Sequence, residues 1–302
     1  MEIRRITERS TDVFEHSLIA TIGSFDGIHI GHKKLFQSLV DKKKEYNNLY
    51  KTAVFTFELH PDYYLKKRNN VGLIESDKDK FQCFKDYEID YVFQLSNSVL
   101  SLSYEEFHEF ILDKYNTKII VVGDDFKYGA NASGNVDTLK KKYEVVSLLI
   151  TNNSGEKLSS NMIRNYLEKG EVGKIKSVLG HNYFVEGVVA KGAGLGRKLG
   201  FPTANIEVDE KCYLMLEGVY ETKVYINKKE YFGITNVGKN PTVNTQVKPR
   251  IETYILGFNG DLYGKTIKVE FLEFIRGEQK FSSVDELKQT IMNNVKDLKK
   301  RL

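Results

Sequence analysis

The chain has no tryptophan and only two cysteines in 302 residues. Without tryptophan, any stacking on an aromatic ligand falls to tyrosine and phenylalanine, present at 18 each. Cys83 and Cys212 stand far apart in the sequence, which excludes a disulfide framework and makes a reducing cytoplasm the expected location. No apolar run approaches the roughly 20 residues that cross a bilayer, so no membrane partner is expected. Glu2, Arg4 and Arg5 have no long apolar core behind them, so no secretory leader is expected. A strong charge of one sign is also missing. The formal net charge of +4 suits anionic small molecules but falls well short of a dedicated nucleic-acid binder. The lysine runs 42–44 and 140–142, with Lys299-Lys300-Arg301, read as solvated helix faces or ends.

What is present is an ordinary apolar share, 41%, on a chain long enough for two cores. In the first half, short β-branched or aromatic runs predict strands at Leu18–Ile22, Thr52–Phe57, Tyr91–Gln94, Ile119–Val122 and Tyr143–Leu149. Helical periods alternate with them at Lys33–Lys44, Lys78–Tyr87 and Tyr104–Tyr115, and a further helix, Ser160–Lys169, ends at Gly170. This alternation predicts an α/β architecture with a doubly wound parallel sheet. From Tyr183 the pattern changes to successive strands: Tyr183–Lys191, Gly218–Ile226, Glu230–Asn236, Ile251–Leu256 and Thr266–Phe274. No helical period returns until Val284–Leu302, which predicts an antiparallel barrel with a terminal helix. The boundary is placed at 182/183, giving domains 1–182 and 183–302.

The first chemical signal is Gly23-Ser24-Phe25-Asp26-Gly27-Ile28-His29-Ile30-Gly31-His32, set between a buried strand and a helix. Loop amides and the positive end of a helix dipole make an anion site there. His29 and His32 are expected to donate hydrogen bonds to phosphoryl oxygens, and Gly31 to let the backbone approach the ligand. Such a site serves attack at a phosphorus atom and needs no covalent nucleophile. The same His-x-Gly-His letters mark class I aminoacyl-tRNA synthetases, with a loose second echo at Lys157-Leu158-Ser159-Ser160. The chain is too short for that body plus a tRNA-reading domain, and nucleotidyltransferases that share the element fit better. The second signal is Gly192-Ala193-Gly194-Leu195-Gly196-Arg197-Lys198-Leu199-Gly200-Phe201-Pro202-Thr203-Ala204-Asn205. Its glycines and two basic residues make a loop able to close over phosphates. Thr203 and Asn205 offer neutral oxygens to a Mg²⁺ that takes its other ligands from phosphate and water.

Along essentially its whole length the sequence resembles the bacterial bifunctional riboflavin kinase/FMN adenylyltransferase family. The resemblance rests on the two runs above and on Thr56-Phe57 with His60-Pro61, Val122 to Gly129, and Ser159-Ser160-Asn161-Met162-Ile163-Arg164. It also includes Gly233 to Thr242 with Asn236, Arg250-Ile251-Glu252-Thr253, Asp261 to Gly264, and Arg276 with Phe281. It implies a Rossmann-like nucleotidyltransferase domain followed by a riboflavin kinase barrel, using ATP, riboflavin and FMN, releasing FAD, and assisted by Mg²⁺. It implies that His29 and His32 hold the ATP phosphates and that Ser160 and Arg164 clamp them. It further implies that Asp125 to Gly129 line the cleft, and that Glu252 is the base for the ribityl 5′-hydroxyl. Two departures stand out. Ala130-Asn131-Ala132-Ser133-Gly134 lacks the basic residue common there, and Asn161 replaces a threonine. They leave open a chain competent only as a kinase, and the basic charge leaves open a flavin-responsive RNA-binding regulator.

Overall fold

A computed structural model describes every residue except 12–13, 59, 65–71, 153–154, 193–195, 197–199, 210, 214, 242–246, 280 and 302. The chain forms two compact units, Met1–Ser160 and Asn161–Leu302.

The first unit is built on six parallel strands: β1 (Glu2–Ile6), β2 (Leu18–Ile22), β3 (Lys51–Phe57), β4 (Tyr91–Leu95), β5 (Thr117–Gly123) and β8 (Glu144–Leu148). Their order is β1-β4-β3-β2-β5-β8. Helices α1 (Ile30–Glu45), α2 (Pro61–Tyr64), α3 (Asp77–Asp86), α4 (Tyr104–Phe107) and α5 (Val136–Lys140) connect them, with a two-stranded hairpin of β6 (Lys127–Tyr128) and β7 (Gly134–Asn135). Every residue of β2 is buried, as expected of a central strand covered on both faces. From β2 the chain winds outward through β3 and β4, while β5 and β8 lie on its other side. The end of β2 is therefore the topological switch point, the position where ligands bind in such sheets.

β1 went unread because Glu2, Arg4 and Arg5 break its apolar pattern. It pairs only with β4, at the sheet edge, where charges are tolerated. The helix expected over 104–115 is one α-turn, closed by a Ser103–Glu106 capping box, that runs into a π turn at His108–Asp113.

Helix α6 (Ser160–Lys169), which belongs to the second unit from Asn161 on, ends as expected, with Gly170 at φ +70° and the Glu171 amide donating to Tyr166 O at 2.9 Å. A further helix, α7 (Val172–Leu179), follows and packs on the barrel. The barrel is closed and antiparallel, with order β10-β13-β12-β11-β14-β9. Its strands are β9 (Phe184–Ala190), β10 (Thr203–Glu207), β11 (Gly218–Ile226), β12 (Lys229–Pro241), β13 (Val247–Ile255) and β14 (Thr266–Arg276). The terminal helix α8 (Val284–Arg301) packs against it through Val295 and Leu298. The end of the expected glycine loop, Thr203 to Asn205, lies in strand β10. Buried hydroxyls of Thr222, Thr235 and Thr253 bridge β11, β12 and β13 at 2.8 and 2.9 Å.

Candidate active sites

The first site grows from the turn that links β2 to α1. The Gly23 amide donates to Phe55 O at 3.0 Å, so the chain leaves the sheet at a fixed point. Ser24 O accepts from the buried Thr56 hydroxyl at 3.1 Å. Phe25, at φ +46°, turns its ring into the core against Phe36 and Phe84. Asp26 is 3% exposed, and its carboxylate accepts from the Ile74 amide at 2.8 Å. Helix α1 then begins at Ile30, three residues earlier than its apolar period suggested, because His29 is its N-cap. His29 Nδ1 accepts from the His32 amide at 3.2 Å. That bond assigns the tautomer: with Nδ1 accepting, the proton of the neutral ring sits on Nε2.

Helix geometry leaves the Ile30 and Gly31 amides without intrahelical acceptors. No acidic residue in the first turn neutralises the helix dipole. The His29 and His32 rings are stacked, centroids 3.6 Å apart. Burial pushes His29 down to about 4 and holds His32 well below the usual imidazole range, with the neighbouring His29 adding to the effect. His32 Nδ1 is buried and has no hydrogen-bond partner. The pair is thus neutral near pH 7, two dipoles at a helix start rather than two cations. Gly31 has a reason besides ligand access. A Cβ there would stand 2.2 Å from Ile150 Cγ2 and 3.0 Å from His29 Nδ1, so even alanine would displace the capping imidazole.

Ser160 is the first helical residue of α6, and its hydroxyl donates to Asp26 O at 2.7 Å. Structure therefore joins Ser160 to the histidine turn, and Ser159 directly precedes it. Arg164 lies one turn further along α6, 1% exposed, with its guanidinium 5.6 Å from the Tyr213 ring centroid. Asp125 is exposed and pairs with Lys157 at 2.5 Å, which joins the two segments singled out in the sequence. The departing loop begins with an Ala130–Ala132 3₁₀ turn, and the Ala130 amide donates to Leu102 O at 2.7 Å.

The second site lies on the barrel. Glu252 on β13 stands directly between Asn205 of β10 and Asn236 of β12. The strand period of two puts Thr203 on the same face as Asn205, so four of the expected residues share one patch. Arg250 Nε lies 3.9 Å from Glu252, and Arg250 Nη2 donates to Glu278 at 3.4 Å. Gly192 lies on Asn205: a Cβ there would come within 2.2 Å of Asn205 Nδ2. Gly196 lies close to Thr203 Oγ1 and the Phe201 carbonyl.

A cavity of about 480 Å³ opens beside Glu252, with Phe201, Thr203, Asn236 and Tyr254 on the barrel side. Leu287, Ile291 and Asn294 of α8 close it. A second cleft of about 500 Å³, lined by Pro202, Thr203, Phe258 and Asp261, also reaches Thr203. Asp261 caps its own turn by accepting from the Tyr263 amide at 3.0 Å. Gly194, Arg197 and Lys198 lie outside the described residues, as does Thr242 at the end of the run from Gly233.

Sequence reasoning missed the wall supplied by α8, although the spacing of 287, 291 and 294 was a legible helical signal. It also missed Ile150 and Glu75, which touch the histidine turn from distant segments and carry no motif. Among the described residues, no group of three His, Cys, Asp or Glu side chains could hold a metal, and no helix is long and apolar enough to cross a membrane.

Comparison with known proteins matches both units. The FAD synthetase family profile covers residues 12–163, and the riboflavin kinase family profile covers residues 179–302. A bifunctional riboflavin kinase/FMN adenylyltransferase of Buchnera aphidicola (Schizaphis graminum) is 35% identical over 93% of this chain and 92% of its own. The protein of that description from Bacillus subtilis is 32% identical over 90% of this chain and 89% of its own. The one from Escherichia coli K12 is 31% identical over 92% and 90%. A crystal structure from Streptococcus pneumoniae, described as a macrolide-efflux protein, superposes with a TM-score of 0.84 at 30% identity over 97% of each chain.

Proposed function

The chain belongs to the bifunctional riboflavin kinase/FMN adenylyltransferase family and makes FAD from riboflavin in two ATP-dependent steps, and from that premise we propose how its residues divide the work. One observation carries the division. The stacked histidines open a helix at the switch point of the sheet, with His29 as its cap, whereas Glu252 sits between two asparagines on the barrel.

Residues 183–302 phosphorylate riboflavin. The isoalloxazine occupies the cavity between the barrel and α8, where Phe201 and Tyr254 give it aromatic walls. Its ribityl chain reaches Glu252, and ATP takes the cleft on the other side of Thr203. Glu252 accepts the proton of the 5′-hydroxyl as the oxygen attacks the γ-phosphorus and ADP leaves. Thr203 and Asn205 would hold Mg²⁺. The fit is supported by their neutral oxygens on one strand face and by the Gly192 cradle that any Cβ would fill. Bound, the cation neutralises charge on the phosphoryl oxygens. Gly192, Gly194, Arg197 and Lys198 are the residues that we assign to phosphate binding.

Residues 1–182 adenylylate FMN. An FMN phosphate oxygen attacks the α-phosphorus of a second ATP, and pyrophosphate leaves. His29 Nε2 donates to the phosphoryl oxygens from a site whose geometry is set before ATP arrives. The turn Gly23–Asp26 and the amides of Ile30 and Gly31 receive the phosphates, and His32, Ser159 and Ser160 complete the binding. Asp125 lines the flavin end. Cys83 and Cys212 are not joined in a disulfide, which supports a cytoplasmic setting. Incubation with riboflavin, ATP and Mg²⁺ followed by chromatography tests the reading: FAD is the expected product, FMN alone leaves a kinase, and neither product leaves a regulator.

A further inference from the structure

The histidine turn is held from outside by a segment that belongs to no motif. The Ile28 amide donates to Glu75 Oε2 at 2.9 Å, and in return the Ile74 amide donates to Asp26 Oδ1 at 2.8 Å. Gly27 between them has φ +63°, and a Cβ there would meet Ile74 Cγ2 at 2.8 Å. Residues 74–75 and 26–28 therefore lock together by two reciprocal bonds and one close packing contact. The lock sets the direction in which the chain enters His29, the cap of α1.

We propose that Glu75 is a positioning residue of the adenylyl-transfer site, which fixes the turn before the paired histidines and takes up a proton from solvent when the triphosphate binds. The inference rests on the assignment of ATP to that turn. Both halves follow from the bond to Ile28. Either form of a carboxyl group has an oxygen that accepts an amide, so the turn stays held in both. The ionised form, however, places a negative charge beside the amides that receive the triphosphate.

The surroundings already disfavour that charge. Burial pushes Glu75 up to about 7, the nearby Asp79 and Asp26 carboxylates act in the same direction, and the Ile28 bond and Lys33 oppose them. The groups facing it are thus Asp26 from the turn, Lys33 from α1, and Asp79 and the Cys83 thiol from α3. Near neutral pH the carboxyl is about half ionised. A polyanion brought onto the turn raises its proton affinity further, so binding draws a proton onto a carboxylate oxygen with no other bond made or broken.

The test is titration calorimetry of the full chain with ATP and Mg²⁺ at pH 7.5, in two buffers of different ionisation enthalpy. Wild type is expected to take up more protons per ATP than Glu75→Gln, by a few tenths of a proton. Equal uptake would overturn the proton half, since the kinase site and ATP itself contribute identically to both. For positioning, Glu75→Gln keeps an acceptor for Ile28 and should form FAD from supplied FMN within about threefold of wild type. Glu75→Leu leaves the amide unpaired and should raise KM for ATP about tenfold, with kcat changed less. An unchanged KM in Glu75→Leu, or a glutamine variant as impaired as the leucine one, would overturn the positioning half. His29→Ala separates the failures: if it leaves FAD formation intact, the assignment of ATP to this turn has failed, not the role of Glu75.

Discussion

The imidazoles of His29 and His32 lie one on the other, centroids 3.6 Å apart and planes 17° from parallel. Two protonated rings at that separation would repel in a partly dry site, and burial already holds both in the neutral form. The stack therefore presents neutral imidazoles, and the tautomer of His29 is set by the His32 amide. A buried neutral imidazole has a thermodynamic signature.

That signature is a pH-dependent stability. The folded His29 pKa, about 4, lies below the ordinary 6.5, so the unfolded chain binds more protons between those values. Stability is then full above about 6.5 and lost as pH falls toward 4, by about 3 kcal/mol for this residue. Denaturant unfolding of the first unit should show wild type losing about that much more than His29→Gln between pH 7 and 4. Glu75 contributes with the opposite sign. Its raised pKa, about 7 against 4.5, removes stability as pH rises from 4.5 to 7. Glu75→Gln should therefore steepen the loss on acidification.

Gly31→Ala tests the packing of the same turn. The new methyl would meet Ile150 and the His29 ring. Overpacking of this kind costs about 1–3 kcal/mol, and here it also displaces the cap. FAD formation should fall at least tenfold while FMN formation holds. Adding Ile150→Ala should restore part of the loss, because it empties the space that the methyl needs. A steady-state assay of both products on the single and double variants checks this.

Gly192→Ala tests the cradle of the barrel site. Its methyl would sit 2.2 Å from the Asn205 amide and turn that side chain away from Thr203. The expected result is a rightward shift of the Mg²⁺ activation curve for riboflavin phosphorylation, matched by Asn205→Ala. FAD formation from supplied FMN should keep its own Mg²⁺ dependence.

Much of this was legible in the residues. β2 and α6 appeared at their observed bounds because Leu18–Ile22 is uniformly apolar and Gly170 stops a clear helical period. The site residues Thr203 and Asn205 were legible, but the strand that aligns them was not, since Gly192 to Gly200 drew the whole run into a loop. Glu252 between Asn205 and Asn236 depends on register across three strands, which local sequence does not encode. The same holds for Ile150 and Glu75. Each reaches the histidine turn from a segment more than 40 residues away in sequence, and nothing in its own neighbourhood marks it.

The account's central claim is that two separate sets of residues perform the two steps, and paired variants test it most directly. Product chromatography should be run on Glu252→Gln and His29→Ala, each supplied with ATP and Mg²⁺ and either riboflavin or FMN. Glu252→Gln should lose FMN formation from riboflavin by about 10²-fold or more and still convert FMN to FAD at the wild-type rate. His29→Ala should accumulate FMN and fail to make FAD. Loss of both activities in either variant, with the protein folded, would contradict the division.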